Sequence, residues 1–371
     1  MMGMKVKAQL SDIASYSKGS QINGDELLDN GEYNYLNGGV SPSGTWNTYN
    51  TEANTVTVSE GGNSCGFVNY MQEPFWCGAH CYYLFDSKVK TKYLYYTLKS
   101  QQDRLMKIRS GACMPNIKKS DLGKFEIVYD TDNAEQQKVI EVLDKVSSVI
   151  KARKQQLTAL DDLIKARFVE MFGDPEKGEN KYPIRKLNDL STKISDGVHA
   201  KPVYTETGIP FISVVNITKR KVDFSNCKYV SQEAYEKMIK STYPQKGDVL
   251  YTKVGATYGI PAYIETDDKF CLYVSVCLIK PNHNEINARF LAIQLDTPSI
   301  KHQADKRIKG IGVPDLHLNQ IKEFDIVCPP KELQDDFVSF VQQVDKSKFV
   351  VQKALDKAQM LFDSLMQQYF G

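Results

Sequence analysis

The sequence lacks a long apolar run. No segment has eighteen consecutive uncharged apolar residues, the length that a membrane-crossing helix needs. The first residues, Met1–Leu10, also lack the apolar centre of a secretory signal peptide. We therefore expect a cytoplasmic protein that makes no contact with a membrane.

Cysteine occurs eight times, but not in the short framework typical of disulfide-rich secreted domains, so we expect reduced thiols. Cys77, His80 and Cys81 are of the residue types that bind zinc, but a structural zinc site needs four ligands. No second ligand pair with suitable spacing follows them, and we predict no metal site. The alternative is that Cys81, like Cys277 in the second half, is a buried strand residue.

An excess of one charge is also missing, because 47 basic residues face 45 acidic ones in 371 residues. Net charge therefore does not indicate the partner. With 42% hydrophobic residues, the chain is too apolar to be disordered and long enough for at least two hydrophobic cores.

The second half of the sequence repeats the first. A motif of an apolar residue, proline, a polar residue and an apolar residue begins at Met114 and again at Val313, an offset of 199 residues. A glycine-rich turn occurs at residues 62–66 and 255–259, and each half ends in Phe-Gly, at Phe172 and Phe370. The period is half the chain, so the sequence predicts two related domains in tandem.

Two long helices are predicted, over residues 131–173 and 331–371. Apolar residues recur in both at alternating steps of four and three, the pattern of a coiled-coil seam. Arg153 and Arg167 fill two positions of the first seam, and Lys348 interrupts the second. The seam residues are Val139, Leu143, Val146, Ile150, Leu157, Leu160, Ile164 and Met171 in the first helix, and Phe337, Val341, Val344, Val351, Leu355, Ala358, Phe362, Leu365 and Tyr369 in the second.

Helix length decides between two packings. A short helix would pack on its own domain, but a helix of about 40 residues at about 1.5 Å per residue extends on the order of 60 Å, beyond the radius of a small domain. We therefore predict an antiparallel coiled coil with pseudo-twofold symmetry. The fold class is α/β (α+β), with domains of mixed sheet and helices over residues 1–130 and 174–330.

Each domain contains a predicted β-hairpin. Residues 55–59 and 248–252 have strand composition, and a G-x-x-x-G turn and a second strand, 67–70 or 261–264, follow each of them. Such a turn could cradle phosphate, but neither turn has the Lys-Ser/Thr pair of a nucleotide loop. We favour turn geometry over phosphate binding.

Basic residues recur at the same place in both halves. One such residue is usually a solvated charge, but the recurrence favours phosphate contacts, with polar and aromatic side chains reading base edges. The predicted DNA-contacting residues are Arg104, Lys107, Arg109, Lys118, Lys119, Lys219, Arg220, Lys221, Lys301, Lys306, Arg307 and Lys309, with Tyr35, Asn37, Asn116, Asn216 and Asp315 as candidate readers.

The chain resembles the specificity (S) subunit of type I restriction-modification enzymes over essentially its whole length. The resemblance rests on the order domain, helix, domain, helix, and on motifs that open and close the helices. These motifs are Ala134-Glu135-Gln136-Gln137, Pro330-Lys331-Glu332-Leu333-Gln334, Phe168-Val169-Glu170-Met171-Phe172-Gly173-Asp174-Pro175 and Leu361-Phe362-Asp363-Ser364-Leu365-Met366-Gln367-Gln368-Tyr369-Phe370-Gly371. Tyr129-Asp130-Thr131-Asp132 departs from the family pattern, in which Pro-Pro is usual.

The resemblance implies that residues 1–130 and 174–330 are target recognition domains, each reading half of an asymmetric, bipartite DNA sequence. It implies that the helices set the spacing and dock two methyltransferase (M) subunits, which bind S-adenosylmethionine and methylate adenine. It also implies restriction (R) subunits that use ATP and Mg²⁺. The chain itself would hold no cofactor and would not be an enzyme.

The residues themselves show no enzyme motif. There is no methylation motif like Asn-Pro-Pro-Tyr and no Gly-Lys-Ser/Thr loop. Asp174, Glu179 and Lys181 have nuclease-like spacing, but they lie in a linker, 174–183, where we expect no strand. The remaining alternative is a two-headed scaffold that binds proteins rather than DNA, which salt-dependent binding to duplex DNA would distinguish.

Overall fold

The computed structural model describes residues 5–111, 115–217, 220–308 and 312–371. The chain divides into two compact units. Unit 1 comprises residues 1–156 and 351–371, and unit 2 comprises residues 157–350. Each of the two long helices thus contributes one part to each unit.

Unit 1 is built from nine strands and the helices that cover them. Its strands are β1 Lys5–Gln9, β2 Ser15–Lys18, β3 Tyr33–Leu36, β4 Gly44–Trp46, β5 Thr55–Ser59, β6 Val68–Met71, β7 Phe75–Cys77, β8 Cys81–Phe85 and β9 Glu126–Asp130. Its helices are α1 Leu10–Ile13, α2 Thr91–Ser100, α3 Gln102–Lys107, α4 Lys119–Gly123 and the first part of α5 Asn133–Phe172.

Three sheets organise these strands. A four-stranded sheet has the order β2-β8-β5-β6, a three-stranded sheet has the order β4-β3-β7, and β1 pairs with β9. All pairs are antiparallel except β3 with β7. The apolar sides of β5, β8 and α2 form the main core, in which Val56, Val58, Tyr82 and Leu94 are fully buried.

In its described residues, unit 2 has counterparts of these nine strands and two further short strands. Its strands are β10 Gly173–Asp174, β11 Glu179–Asn180, β12 Ile184–Lys186, β13 Ser191–Asp196, β14 Ile209–Ile212, β15 Lys228–Val230, β16 Val249–Thr252, β17 Pro261–Tyr263, β18 Cys271–Leu272, β19 Val276–Pro281 and β20 Asp325–Val327. Its helices are α6 Gln232–Met238, α7 Ala288–Leu295, α8 Pro298–Arg307, α9 Leu318–Lys322 and the first part of α10 Lys331–Phe370.

The sheets of unit 2 have the topology of those in unit 1. The four-stranded order is β13-β19-β16-β17, the three-stranded order is β15-β14-β18 with a parallel β14–β18 pair, and β12 pairs with β20. The two halves therefore match strand for strand, as the tandem repeat predicts. The additional pair β10–β11 falls in residues 174–183, where the sequence predicts no strand. That prediction is wrong, because Gly173, with a φ of 91°, starts a tight hairpin.

Both predicted hairpins are present. β5 pairs with β6 and β16 pairs with β17, each pair antiparallel. The turns between them place Gly62, Gly66, Gly255 and Gly259 at φ values from 72° to 90°, a region that disfavours side chains with a Cβ atom. The glycines are thus explained by turn geometry.

The two long helices end within a residue or two of their predicted limits. Gln136 and Gln334 anchor their first turns. The Gln136 amide accepts from the Lys90 backbone N–H and donates to the Asp130 carbonyl, at 2.9 and 2.8 Å. Gln334 accepts from the Asn287 backbone N–H and donates to the Pro329 carbonyl, at 2.7 and 2.8 Å. Both glutamines are buried, so each fixes the angle at which its helix leaves the domain.

All of the predicted seam residues are buried or half-buried. Within unit 2, the ammonium group of Lys348 pairs with the Asp161 carboxylate, so the residue that interrupts the second seam binds a side chain of α5. The end of α5 lies against the start of α10, with ring centroids 5.7 Å apart for Phe168 and Phe337. This is the order of segments that antiparallel helices require.

The ends of the long helices enter the cores of the two units. In unit 2, Phe172 is fully buried and its ring lies 5.1 Å from that of Phe290. In unit 1, the ring of Phe370 lies 5.5 Å from that of Tyr93, and Phe362 packs on Tyr96. No helix in the described part of the chain combines the length and apolar character needed to cross a membrane.

Candidate nucleic-acid interface

Equivalent backbone contacts hold the glycine-rich turn in each unit. The Gly62 N–H donates to the Pro115 carbonyl at 3.0 Å, and the Gly255 N–H donates to the Pro314 carbonyl at 2.9 Å. The repeated proline motif therefore lies beside the repeated turn. In unit 1 a Cβ on Gly66 would lie 2.9 Å from the Met106 nitrogen, so only glycine lets the turn approach this closely.

A buried charge precedes each turn. Glu60 in unit 1 and Lys253 in unit 2 have equivalent backbone partners: their N–H groups donate to the carbonyls of His80 and Ser275, at 2.9 and 3.0 Å, and these two residues each precede the strand residue that pairs with Ser59 or Thr252. Their carbonyls accept from Ile117 and Leu316, both at 2.8 Å. The two positions are thus structurally equivalent, although one carries a carboxylate and the other an ammonium group.

In unit 1 the Glu60 carboxylate is nearly buried and binds two exposed partners. Lys18 pairs with one oxygen, and His80 Nδ1 lies 3.4 Å from the other. The Lys18 and His80 side chains are 41% and 61% exposed, against 10% for Glu60. Burial and the nearby Glu60 carboxylate also raise the pKa of Tyr82 to about 12.

In unit 2 the signs are reversed. The Lys253 ammonium group lies 3.6 Å from the Asp196 carboxylate and 3.5 Å from that of Asp315. Charge-assisted hydrogen bonds are typically about 2.7–2.9 Å long, so both contacts are loose. Lys253 and Asp196 are largely buried, whereas the side chain of Asp315 is 44% exposed. Burial raises the pKa of the Asp196 carboxyl, and Lys253 opposes this shift.

The predicted DNA-contacting residues of unit 1 belong to segments that touch its glycine-rich turn, since Leu105 and Met106 approach Gly66 and Asn116 pairs with Gly61. Arg104, Lys107, Arg109, Lys118, Lys119 and Asn116 are all exposed. Arg104 is the most constrained of the set, because its guanidinium group donates to Gln101 and lies 5.2 Å from the Phe125 ring.

In unit 2 the predicted residues are more often engaged locally. Lys301 binds Asp305 and donates to the Tyr258 hydroxyl at 2.7 Å, and Arg307 donates to the Gln303 carbonyl. Lys306 and Lys221 are exposed. Arg220, exposed and at a φ of 59°, pairs with Asp296 at 2.5 Å. Lys219 and Lys309 lie outside the described residues.

Three of the residues predicted to read bases form hydrogen bonds with backbone groups of the protein. Tyr35 is 2% exposed, and its hydroxyl donates to the Ile22 carbonyl at 3.3 Å. Asn216 is 5% exposed and accepts from the Ser213 N–H at 3.1 Å. Asn37 is half-buried and accepts from the His80 N–H. Asn116 and Asp315 are exposed beside the turns.

Glu60, Lys18, Asp196 and Lys253 are not among the residues predicted from the sequence. The signal was present in the repeat, because Glu60 and Lys253 each lie two residues before the first glycine of an aligned turn. Cys81 and Cys277 are buried in β8 and β19. Among the described residues, no three His, Cys, Asp or Glu side chains are grouped to bind a metal ion.

The sequence matches the family described as the type I restriction modification DNA specificity domain, over residues 3–160 and again over residues 179–357. These two matches cover most of the chain and coincide with the two halves of the repeat. The chain belongs to this family.

Relatives and solved structures agree with this assignment. A Mycoplasma genitalium protein assigned as a type I specificity subunit is 34% identical over 160 residues, which cover 42% of this chain and 40% of the relative. The MjaIX specificity subunit of Methanocaldococcus jannaschii is 23% identical over 81% of this chain and 70% of its own length. The chain thus spans less than half of the first relative.

The fold is similar to that of a solved S subunit. The crystal structure of a type I restriction-modification S subunit from M. genitalium has a TM-score of 0.64 and 21% identity, covering 100% of this chain and 97% of that one. A chain from a structure of type I complex assembly gives a TM-score of 0.56 at 14% identity, with 100% and 98% coverage.

Proposed function

We propose that this chain is the DNA-recognition subunit of a type I restriction-modification complex. Each domain, 1–130 and 174–330, reads one half of an asymmetric, bipartite duplex sequence. The observation that carries this proposal is the repeated site, in which equivalent backbone positions hold different side chains. Both halves of the chain also match the specificity-domain family. A shared scaffold with different exposed groups is what two unlike half-sites need.

Exposed cations of each unit supply the phosphate contacts. In unit 1 these are Arg104, Lys107, Arg109, Lys118 and Lys119, and in unit 2 Lys221 and Lys306. Lys219, Lys309, Arg220, Lys301 and Arg307 complete the proposed set in the second domain. Phosphate contacts supply affinity that falls with salt but carries no sequence information, so base reading falls to other side chains.

We propose that the helices predicted over residues 131–173 and 331–371, which are α5 and α10, form an antiparallel coiled coil that sets the spacing between half-sites. Supporting evidence comes from each unit separately, since each contains the beginning of one helix and the end of the other. A 40-residue helix extends about 60 Å at about 1.5 Å per residue.

Catalysis belongs to partner subunits in this proposal. Two M subunits dock on the helices, bind S-adenosylmethionine and methylate adenine, and R subunits use ATP and Mg²⁺ to cleave DNA. The chain contributes recognition and assembly and is not itself an enzyme. The complex acts in the cytoplasm.

Charge reversal in the basic set of unit 1 tests the phosphate contacts. We expect the triple substitution of Arg104, Lys107 and Arg109 by glutamate to weaken duplex binding by the assembled S and M subunits for every sequence alike. The wild-type affinity should fall steeply with salt. The variant should show a shallower salt slope, by about one for each phosphate that is no longer neutralised.

The matched control makes three charge reversals outside the proposed DNA-contacting set and outside the long helices, at Lys7, Lys177 and Lys237, whose side chains are 61–71% exposed. A protein-binding scaffold predicts the opposite result: absent or salt-insensitive DNA binding by the assembled wild-type complex would contradict the proposed function.

A further inference from the structure

The buried charges that precede the glycine-rich turns have opposite signs in the two units, and so do the charges of their ion-pair partners. Lys18 pairs in register with Tyr82, and Asp196 pairs with Cys277. Tyr82 and Cys277 are themselves equivalent, since they face Val58 of β5 and Tyr251 of β16. The ion pair Glu60–Lys18 in unit 1 therefore corresponds to Lys253–Asp196 in unit 2, with both signs exchanged.

In each unit the charged residue before the turn is buried, whereas some of the side chains that contact it are exposed. Glu60 and Lys253 are 8% and 4% exposed, too little to reach a base edge themselves. Exposed side chains lie against each of them at the edge of the turn: the Lys18 ammonium group and the His80 imidazole in unit 1, and the Asp315 carboxylate in unit 2. The exposed face is thus donor-bearing in unit 1 and acceptor-bearing in unit 2.

We propose that these exposed groups read one base pair in each half-site, and that the exchange of signs makes the two domains prefer opposite hydrogen-bonding patterns. Lys18, held by Glu60, selects a base that presents acceptors, such as guanine with O6 and N7. Asp315, held by Lys253, selects a base that presents an amino group, such as cytosine with N4. The inference rests on the proposed function, because it assigns specificity within the same interface.

The chemistry of the groove supports this assignment. Lysine donating to guanine and a carboxylate accepting from the cytosine amino group are the pairings that major-groove geometry favours. An exposed carboxylate near phosphates would weaken binding by repulsion unless it met a base donor. The loose 3.5 Å contact between Lys253 and Asp315 leaves lone pairs of this carboxylate available to accept another hydrogen bond.

Selection from a randomised duplex library by the chain assembled with its M subunits tests the proposal. We expect Asp315→Asn to relax the preference at one base position of one half-site by about tenfold or more, because the neutral amide is a weaker acceptor and also carries N–H donors, so it no longer favours a base amino group alone. Lys18→Gln should relax one position in the other half-site. All remaining positions should stay unchanged.

Control variants remove exposed ion pairs that do not involve the turns or the buried charges. Lys7→Gln breaks the pair with Glu126, and Asp267→Asn breaks the pair with Lys246, and neither should change any base preference. Unchanged preferences in Lys18→Gln and Asp315→Asn, or a uniform loss of affinity for all sequences, would overturn the inference while leaving the proposed function standing. A wild-type complex that selects no bipartite sequence would overturn both.

Glu60, which is buried and binds Lys18, can be tested separately as a positioning residue. Glu60→Gln keeps the shape of the side chain but removes its charge, so we expect relaxation at the same base position as in Lys18→Gln. The double variant should relax that position no further than the larger single effect, because both changes remove one arrangement. Additive effects, or relaxation at a different position, would overturn the positioning role.

Discussion

Gln136 and Gln334 explain why a polar residue is retained in the buried first turn of each long helix. Each amide satisfies a backbone donor and a backbone acceptor that would otherwise be unpaired inside the protein. The short motif that contains each glutamine therefore has a specific physical role, which is to join the first turn of the long helix to the start of a neighbouring helix, α2 or α7, in the same domain.

Phe172 tests at residue scale whether the end of α5 belongs to the core of unit 2. Its ring is fully buried among Phe168, Phe290 and Phe337. We expect Phe172→Ala to lower the free energy of unfolding of unit 2 by about 3–5 kcal/mol, from reduced apolar burial and the cavity that remains. Denaturant titration of the full chain measures this decrease.

The control for this prediction lies on the same helix. Leu163 is 46% exposed, so Leu163→Ala should change the free energy of unfolding by no more than about 0.5 kcal/mol. Equal effects of Phe172→Ala and Leu163→Ala would show that the end of the helix is not part of this core.

At the scale of elements, the length of α5 is predicted to set the distance between half-sites. Four residues inserted near the middle of the helix add about one turn, about 6 Å. We expect the unspecified spacer of the target to lengthen, because the duplex rises about 3.4 Å per base pair. Sequencing the modified sites of DNA methylated by the complex reads the spacer directly.

A variant with unchanged helix length controls for altered stability of α5. Alanine at the exposed Lys151, Gln155 and Asp162 changes the helix surface without adding a turn, and should leave the spacer as it is. If the complex with the insertion variant still methylates sites that have the wild-type spacer, the helices do not set the distance between half-sites.

Periodicity and repetition are sufficient to predict the long helices and the hairpins. The helices are predicted over 131–173 and 331–371 and are observed over Asn133–Phe172 and Lys331–Phe370. These elements are specified locally, by apolar spacing and by glycines at the turns. The parallel pairs β3–β7 and β14–β18 join strands separated by about forty to sixty residues, and no local pattern announces such a pairing.

The site is harder to predict than the fold because it depends on side-chain burial. Tyr35 and Asn216 are polar residues in loops and short elements, which makes them candidate readers, yet tertiary packing turns both inward. Glu60 and Lys253 can be noticed only by asking how aligned positions differ in charge. Their partners lie on other strands, so the ion pairs themselves require coordinates.

For the whole molecule, the duplication supports the proposed function, in which one chain serves two half-sites. Sheets of equal strand order and equivalent turn contacts form one scaffold used twice, whereas the charges beside the turns differ in sign. Such a design allows one domain to change its preference while the other keeps its own, because each domain has its own core.

Exchanging residues 1–130 for the corresponding domain of another specificity subunit tests this independence most directly. The methylated motif of the hybrid, assembled with the same M subunits, would be read by sequencing modified DNA. We predict one new half-site, with the second half-site and the spacer retained. A motif changed in both halves, or the wild-type motif kept whole, would contradict the account.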